Sequence, residues 1–304
     1  MSKGSRRELW LNKVAGTLVG VVCLVVALNS QERLSSSVKR QFHLKVLTLN
    51  VRVDLASDSL NNWQYRRDSI GSLVRQEAFD LIGTQEVLQN QLADLLLRLP
   101  GYGYLGVGRS DGKTLGEYSA IFYRLERFSV DTSGNFWLSE TPEVPGSRSW
   151  DAACERIVTW GILQDRLSGL KLALFNTHFD HKGQEARLRS AYLLMDWINQ
   201  IAGQLPVILT GDFNGAPESE PIKIILAPGR LRDSRQISAQ KIGPAWSFHG
   251  FGKVPIDKRE LLDFIFVSPP FEVLEYHIVY AELGGTYYSD HNPVWVKLII
   301  PPAK

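Results

Sequence analysis

Cysteine is nearly absent from this chain, which has two cysteines among its 304 residues. Cys23 lies in an apolar N-terminal stretch, so Cys154 stands alone in the rest of the sequence and no disulfide can form within that part. A lone cysteine can act as a nucleophile, but Cys154 lacks a coherent pattern of histidine and asparagine partners. The composition therefore excludes a disulfide-stabilised scaffold and leaves cysteine chemistry as a minor alternative.

An excess of charge of one sign is missing as well. The chain has 34 basic and 32 acidic residues, and five of the basic and two of the acidic residues lie within positions 1–35. The remainder therefore has 29 basic and 30 acidic residues. A body so close to neutral lacks the bulk positive charge of a non-specific nucleic-acid binder, although a local basic groove is compatible with this balance.

Long uncharged apolar stretches are limited to one, at the N-terminus. A basic segment precedes the fifteen uncharged residues 14–28, and a serine-rich polar stretch follows them. This layout predicts a signal peptide or signal-anchor helix over residues 1–28 and a polar linker over residues 29–42. Because a spanning helix needs roughly 17–25 apolar residues, a retained anchor and a cleaved signal both stay open.

The charge around the apolar stretch predicts an orientation. Lysine and arginine are concentrated before it, and such residues remain on the cytoplasmic side of a membrane. We therefore expect a cytoplasmic N-terminus and an extracytoplasmic body that is anchored as a single-pass protein. The alternative is a secreted or periplasmic body after cleavage of the signal. No protein partner can be inferred from the sequence.

Residues 43–300 alternate between strand and helix patterns. Helical spacing occurs at residues 63–78, 89–99 and 185–202, and apolar strand patterns occur at residues 45–53, 79–87, 118–124, 128–138, 156–165, 170–180, 206–214, 261–268, 271–280 and 294–300. We expect hairpins from 118–124 with 128–138 and from 156–165 with 170–180. About ten strands with few but long helices predict a mixed α+β domain whose strands pack into sheets.

Polar side chains recur where the apolar strands end. Asn50, Asn176 and Asn214 each close an apolar strand, and a buried strand that ends in an amide delivers it to the edge of a sheet, where sites are commonly built. We expect these ends to converge. The candidate group comprises Asn50, Glu86, His178, Asp212, Asn214, Asp263, Asp290 and His291.

The residue types in this group predict a chemistry. Carboxylates and amides without a cluster of cysteines or histidines are hard ligands, which suit Mg²⁺ and, as a substitute, Mn²⁺. The imidazoles are then free to hydrogen-bond a phosphoryl oxygen or to transfer protons. Such a set can support in-line attack of water on a phosphorus ester, because it combines a base with donors and cations that hold the developing charge.

Five segments, in their order and spacing, carry a resemblance to a known family. They are TQE ending at Glu86, NTH ending at His178, TGDFN ending at Asn214, LLDFIFVS around Asp263 and SDHNPV around His291. Residues 44–300 closely resemble the endonuclease/exonuclease/phosphatase superfamily, in its bacterial-type branch related to deadenylase-like hydrolases. The resemblance implies a four-layer α/β/β/α sandwich of two packed mixed β-sheets with outer helices, and metal-dependent cleavage of phosphate esters.

The resemblance also implies roles for individual residues. Glu86 matches the principal metal carboxylate, Asn50 its neighbour in the metal site, and Asp290 a second acid that binds metal or water. Asp212 matches the group that orients or deprotonates the attacking water, and Asn214 contacts phosphate or metal.

Two histidines and their neighbours complete the resemblance. His178 matches a histidine that contacts phosphate, and His291 matches one that stabilises developing charge or assists the leaving group. Asp263 resembles the carboxylate that orients His291. Candidate substrate contacts, set against solvated-loop roles, are Tyr118, Arg156, Asp180 and His181.

The expected function is therefore that of a Mg²⁺-dependent hydrolase with a phosphodiesterase- or nuclease-type reaction. The alternatives within the family are a phosphomonoesterase and a phospholipid or sphingomyelin phosphodiesterase. Two further alternatives come from other classes. A dinuclear zinc hydrolase would use His178, Asp180 and His181, but asparagine stands at position 176 where that motif needs histidine. A catalytically inactive, membrane-tethered binding module would show no metal-dependent turnover.

Overall fold

The computed structural model describes residues 42–283 and 286–300. The predicted signal or anchor at residues 1–28, and the linker up to residue 41, lie outside the described residues, so both assignments stay predictions. Within the described part of the chain, no helix is both long enough and apolar enough to cross a membrane.

The secondary structure follows the predicted alternation of strands and helices. The strands are β1 (Phe42–Asn50), β2 (Leu81–Gln85), β3 (Tyr102–Leu105), β4 (Ile121–Arg124), β5 (Phe128–Trp137), β6 (Ile157–Asp165), β7 (Lys171–His178), β8 (Val207–Asp212), β9 (Arg232–Asp233), β10 (Gln240–Ile242), β11 (Asp263–Val267), β12 (Glu272–Ile278), β13 (Glu282–Leu283), β14 (Thr286–Tyr287) and β15 (Val294–Ile300). The helices are α1 (Trp63–Glu77), α2 (Gln89–Arg98), α3 (Gln184–Ala202), α4 (Glu220–Leu226) and α5 (Ser234–Ile237), with 3-10 turns at Ala56–Asn61 and Ile256–Lys258.

The strands within these ranges form two large mixed sheets. The first is seven-stranded, in the order β10-β12-β15-β1-β2-β4-β3, and the second is six-stranded, in the order β5-β6-β7-β8-β11-β9. β1 is parallel to β2, β7 to β8 and β10 to β12, whereas the other large-sheet pairs are antiparallel. β13 and β14 form a separate two-stranded ribbon.

Alternating side chains along β1 show how the layers form. Leu44 and Val46 belong to a buried cluster shared with the six-stranded sheet, whereas Leu47 and Leu49 pack with residues of α1 and α2. This period of two is the expected geometry of a strand that is buried on both faces. Because α3 packs its buried face with the six-stranded sheet, the structure confirms the predicted sandwich of two mixed sheets with helices outside.

A buried amide joins the two sheets. Asn176 of β7 accepts from Gln85 Nε2 at 2.7 Å and lies 3.0 Å from Thr210 Oγ1 through its Oδ1. Its Nδ2 donates to the carbonyl oxygens of Thr84 and Ala120 at 2.8 and 3.0 Å. All four hydrogen-bonding positions of this amide are therefore used, and three of its four partners belong to the other sheet or its flanking residues.

The close approach at this amide explains a glycine in β2. A Cβ atom added to Gly83 would lie 2.2 Å from Thr210 Oγ1 and 2.5 Å from Asn176 Oδ1. No real Cβ tolerates such contacts, so a side chain at this position would push the sheets apart.

The first predicted hairpin is wrong, whereas the second is confirmed. β4 pairs with β2 and β3 in the seven-stranded sheet, and β5 pairs with β6 in the six-stranded sheet. Three residues connect them, and the last of these, Arg127, binds Asp80 at 2.8 Å and Asp165 at 3.1 Å. This buried guanidinium holds the chain where it crosses between sheets, so two adjacent strand patterns do not pair with each other. β6 and β7 do form an antiparallel pair.

We expect Asn176→Leu to destabilise the fold by about 3 kcal/mol or more, because each buried group left without its partner costs about 1–3 kcal/mol. Urea unfolding measures the change. Gln164→Leu is the matched control, since Gln164 lies in the same sheet and its amide makes one exposed hydrogen bond, to Gly169. Equal stability of the two variants would show that the network does not hold the sheets together.

Asp165 makes stability depend on pH. Burial would raise the pKa of Asp165, but hydrogen bonds from Arg127 and Ser168 bring it below its ordinary value. Its ionisation therefore stabilises the fold above pH about 3.9, and this contribution is lost as pH falls through the depressed pKa.

Asp165→Asn should accordingly cost about 2 kcal/mol at neutral pH, less than the 3–5 kcal/mol of a fully broken buried pair, because Arg127 keeps Asp80. The gap between wild type and variant should narrow below pH about 4. Urea midpoints at several pH values measure this. Asp131→Asn, which removes an exposed ion pair with Lys171, serves as control. A gap that stays constant down to pH 3 would contradict the assignment.

Candidate active site

The strand register brings the predicted polar ends to one edge. Asn50 is the last residue of β1, and Asp212 is the last residue of β8. Asp212 is paired directly with His178 of β7 and with Asp263, the first residue of β11. His291 lies just before β15, whose first residue pairs with β1 two positions before Asn50. Both sheets therefore contribute side chains to the same place.

Asn50 links two carboxylates across the sheets. Its Nδ2 donates to Glu86 Oε1 and to Asp212 Oδ2, each at 3.0 Å. Glu86 follows β2 with a φ of +62°, a conformation that is costly for a non-glycine residue and is found mainly at functional sites. Burial would raise the pKa of Glu86, but hydrogen bonds from Asn50 and the Val53 N–H keep it below the usual value, so the carboxylate stays ionised.

Asp290 faces the same region from the start of the last strand. Its Oδ1 accepts from Ser289 Oγ at 3.1 Å, and its Oδ2 lies 3.8 Å from Arg52 Nη1. Burial and the negative charge of Glu86 raise the pKa of Asp290 above its ordinary value, although His291 opposes this. A buried acid whose ionisation is disfavoured by a neighbouring carboxylate indicates a place for a cation.

His291 lies between two carboxylates, hydrogen-bonded to Asp263 and close to Asp212 without a hydrogen bond to it. His291 Nδ1 lies 2.7 Å from Asp263 Oδ2, and its Nε2 lies 3.7 Å from Asp212 Oδ2. Burial would lower the pKa of His291, but the two carboxylates raise it well above its usual value. Burial raises the pKa of Asp212 to about 7, against the opposing charge of His291. The imidazole is therefore charged, and it is held by Asp263 in one orientation.

His178 is neutral and its tautomer follows from its partners. The Asn214 amide donates to the Phe179 carbonyl oxygen at 3.0 Å and lies 3.0 Å from His178 Nε2, which therefore accepts. The proton is then on His178 Nδ1, which is buried without a partner. Burial, together with the positive charges of Arg156 and Arg109, lowers the pKa of His178 well below its usual value.

Arg156 supplies fixed positive charge beside His178. Its Nε lies 3.5 Å from Asp180 Oδ2, and its Nη2 contacts His181 Nδ1 at 3.0 Å. Neither Nε nor Nη1 has a hydrogen-bond partner, although both are buried. Burial would raise the pKa of Asp180, but the backbone N–H groups of Gly183 and its neighbours hold it well below the ordinary value. Asp180 is thus a permanent counter-charge for Arg156.

These side chains surround a cavity of about 360 Å³. Its lining residues are Arg52, Val53, Glu86, Arg109, Glu117, Cys154, Arg156, His178, His181, Asp212, Asn214, Phe248, Asp290 and His291. Seven of the eight predicted strand-end residues either line it or, in the case of Asn50, contact two that do. Asp263 reaches it through His291.

The candidate substrate contacts divide into two pairs. Arg156 and His181 line the cavity, whereas Tyr118 and Asp180 do not. Tyr118 is buried, and its hydroxyl donates to the Lys113 carbonyl oxygen at 3.1 Å. Asp180 is 1% exposed and holds backbone N–H groups.

Sequence reasoning missed five lining residues, and it misplaced one asparagine. The missed residues are Arg52, Val53, Arg109, Glu117 and Phe248. Arg52 follows Asn50 by two positions, and Glu117 adjoins the predicted contact Tyr118, so proximity to those residues was the available signal. Asn176 was expected at the site but is fully buried between the sheets.

The donor set fits a divalent cation at Glu86. Glu86 stays ionised and is hydrogen-bonded by Asn50, and Asp290 adds a second carboxyl group on the cavity wall. Carboxylate oxygens are the hard ligands that Mg²⁺ and Mn²⁺ prefer. Ligand atoms of Asp212, Asp263 and His291 also lie within 4.8 Å of one another. The short Asp263–His291 hydrogen bond already uses ligand atoms of that second group, so it is less suited to a metal ion than Glu86 and Asp290 are.

Ligand atoms of Cys154, Asp180 and His181 lie within 4.8 Å of one another, but other observations weaken the alternatives in which Cys154 or zinc carries the chemistry. Burial raises the pKa of Cys154, which disfavours the thiolate. The amide at position 176, where a zinc motif needs histidine, spends all its hydrogen bonds between the sheets. Asp180, another ligand of that motif, already accepts from four backbone N–H groups.

Comparison with solved structures identifies close likenesses. An endonuclease/exonuclease/phosphatase from Bacteroides vulgatus is 41% identical, with a TM-score of 0.82, covering 84% of this chain and 98% of that one. The mannosyl-6-phosphatase of Bacteroides thetaiotaomicron is 38% identical, with a TM-score of 0.80, covering 84% of this chain and all of that one.

Curated sequences give more distant relatives. An uncharacterised protein of Acanthamoeba polyphaga mimivirus is 32% identical over 181 residues, which is 56% of this chain and 67% of that protein. In a second uncharacterised protein of the same virus, this chain spans 27% of the length. The model of the endonuclease/exonuclease/phosphatase family matches residues 47–291. The chain therefore belongs to the endonuclease/exonuclease/phosphatase family, whose members are metal-dependent phosphoesterases.

Proposed function

We propose that this protein is a divalent-metal-dependent phosphoesterase in which Asp212 activates the attacking water. The observation that carries the proposal is the position of Asp212 between two oppositely charged groups. Asn50 joins Asp212 to the acidic group at Glu86, and His178 lies 3.4 Å from Asp212 beside the positive charge of Arg156. A phosphate ester needs both groups at once, a cation on one side and donors on the other.

The residues of the chain divide the proton chemistry between them. Asp212 orients the water and accepts its proton, and its raised pKa suits a base that works near neutral pH. His291, charged and held by Asp263, donates from Nε2 to the charge that develops on the phosphoryl or leaving oxygen. When bound at Glu86, Mg²⁺ or Mn²⁺ would supply neutralisation of the phosphoryl oxygens.

The size of the cavity and the near-neutral charge of the chain favour a phosphomonoester over the phosphodiester or nucleic acid first expected. The substrate space is a cavity of about 360 Å³, within the range of small-molecule pockets, and the chain beyond residue 35 is nearly neutral. The likeness to a mannosyl-6-phosphatase supports the same choice. A small diester or lipid headgroup remains the second candidate, because the positive charge of Arg156 would attract the phosphate of a diester as well as that of a monoester.

Removal of metal with EDTA should abolish turnover, and Mg²⁺ or Mn²⁺ should restore it. Turnover by one protein preparation is measured with each of the following substrates: sugar phosphates, phenyl phosphate, single- and double-stranded nucleic acids, phosphoinositides and sphingomyelin. Glu86→Gln should need about 10-fold more Mg²⁺ or more for half-maximal activity, because a metal ligand is lost. Glu126→Gln, at an exposed position, is the control. Better restoration by Zn²⁺ than by Mg²⁺ would favour the zinc hydrolase instead.

Asp212→Asn should lower kcat by roughly 10²–10⁴-fold with little change in KM, because a positioned base contributes about that factor. The substitution keeps the hydrogen bond from Asn50 within reach of an amide oxygen, so the fold should be kept. Asp196→Asn, on the exposed face of α3, is the matched control. If Asp212→Asn turns over substrate at the wild-type rate, Asp212 is not the catalytic base. If the wild type hydrolyses none of the esters, the inactive binding module is supported instead.

A further inference from the structure

An ion pair that the proposed mechanism does not use lines the catalytic cavity. Arg109 Nη1 donates to Glu117 Oε2 at 2.6 Å, and Arg109 Nη2 donates to Glu117 Oε1 at 2.8 Å. The backbone of Arg109 also donates to Glu117 at 3.1 Å, and Trp137 Nε1 donates to the Arg109 carbonyl oxygen at 2.6 Å. The pair is thus held rigidly between a loop and the end of β5, and it need not reorganise to bind a ligand.

The pair keeps hydrogen-bonding capacity for a ligand. Each Glu117 oxygen accepts one N–H from Arg109, and an ionised carboxylate has about four acceptor positions. The side chains of Arg109 and Glu117 are 14% and 19% exposed, and both line the cavity. Free acceptor positions next to guanidinium donors match the hydroxyl group, which donates through its hydrogen and accepts through its oxygen.

The charge of the pair limits what it can bind. Arg109 and Glu117 neutralise each other, so this wall offers little net attraction to a second anionic group, and a phosphate or carboxylate placed here would face the Glu117 charge. Arg156 remains the guanidinium whose Nε and Nη1 lack hydrogen-bond partners and whose counter-charge lies at 3.5 Å. One phosphate at Arg156 and an uncharged group at Glu117 therefore fit the electrostatics.

The cavity also lacks a platform for a nucleobase. Among the described residues that line it, Phe248 is the single phenylalanine, tyrosine or tryptophan. Its ring centroid lies 4.9 Å from that of His291 at an interplanar angle of 53°, so the ring already packs on that imidazole. Bases are bound mainly by stacking on free aromatic faces, and one ring that already packs on His291 offers a poor platform for this.

We propose that Glu117 and Arg109 bind hydroxyl groups of the leaving alcohol, an inference that rests on the phosphomonoesterase function proposed above. The substrate is then the monophosphate of an uncharged polyol, such as a sugar. Glu117 accepts from one hydroxyl while Arg109 donates to a neighbouring oxygen, a pairing that suits adjacent hydroxyls on a ring.

Glu117→Gln tests this pairing, because it keeps the shape of the side chain while removing its charge. The enzyme with Mg²⁺ is assayed on a hexose 6-phosphate and on phenyl phosphate. The leaving group of phenyl phosphate carries no further hydroxyl group besides the oxygen of the ester bond. We expect kcat/KM for the sugar phosphate to fall about 10-fold or more, mainly through KM, and that for phenyl phosphate to stay close to wild type. Retained phenyl phosphatase activity also shows that the variant is folded.

Glu155→Gln is the matched control, since Glu155 accepts from Ser110 on the same loop but does not line the cavity. Equal losses on both substrates would overturn the proposal and place Glu117 in phosphate binding or catalysis. Unchanged kinetics on both would show that the pair touches no part of the substrate. Arg109→Lys, which loses the bidentate geometry, should repeat the selective loss.

Calorimetry separates failure of this inference from failure of the proposed function. Binding of the hexose 6-phosphate and of inorganic phosphate is measured with Asp212→Asn, in which turnover is blocked. Adding Glu117→Gln to this variant should weaken the binding of the sugar phosphate about 10-fold and leave the binding of inorganic phosphate unchanged. If the wild type hydrolyses no monoester, the proposed function is wrong, and the same titration still decides whether the hydroxyl subsite exists.

Discussion

The amide of Asn176 is the contact on which the geometry of the site depends. Glu86 and His291 flank strands of the seven-stranded sheet, whereas His178 and Asp212 end strands of the six-stranded sheet. The proposed catalysis therefore requires the two sheets to keep one separation and one register. Apolar packing between sheets is not directional and permits small sliding movements. A fully bonded amide does not, since a shift of an ångström would leave several buried groups unsatisfied.

The site itself concentrates charge that the fold must stabilise by other means. Glu86 and Asp212 share the amide of Asn50, and Asp263 is neutralised by the imidazolium of His291. Remaining strain is visible at Glu86, Arg52 and Asn214, all of which have positive φ. Stability and function are thus opposed here, because an excess of buried carboxylate destabilises the protein alone but prepares it for a cation.

Much of this arrangement could be predicted from sequence because it depends on strand periodicity. A residue that ends a buried strand must lie at a sheet edge, which is why Asn50, Asp212 and Asp263 were identified together. The same rule failed for Asn176, which is followed by two further residues of β7 and points inward. A second rule, that strands adjacent in sequence pair with each other, failed at β4 and β5. Nothing local indicates that Arg127 bridges Asp80 and Asp165 in different sheets.

Two of the residues that sequence reasoning missed, Arg109 and Glu117, are those that we propose to bind the leaving alcohol. The strand ends share a chemistry that any phosphate ester needs, and their position follows from the sheets. Arg109 and Glu117 are separated by a loop whose path is determined by tertiary contacts such as the hydrogen bond from Trp137 to Arg109, and no local pattern predicts that path. The cleavage chemistry can therefore be predicted from the residues at the strand ends, whereas the identity of the leaving alcohol depends on how loops pack over those strand ends. For that reason a cavity with a neutral, hydroxyl-binding wall is a stronger guide to the substrate than the motifs themselves.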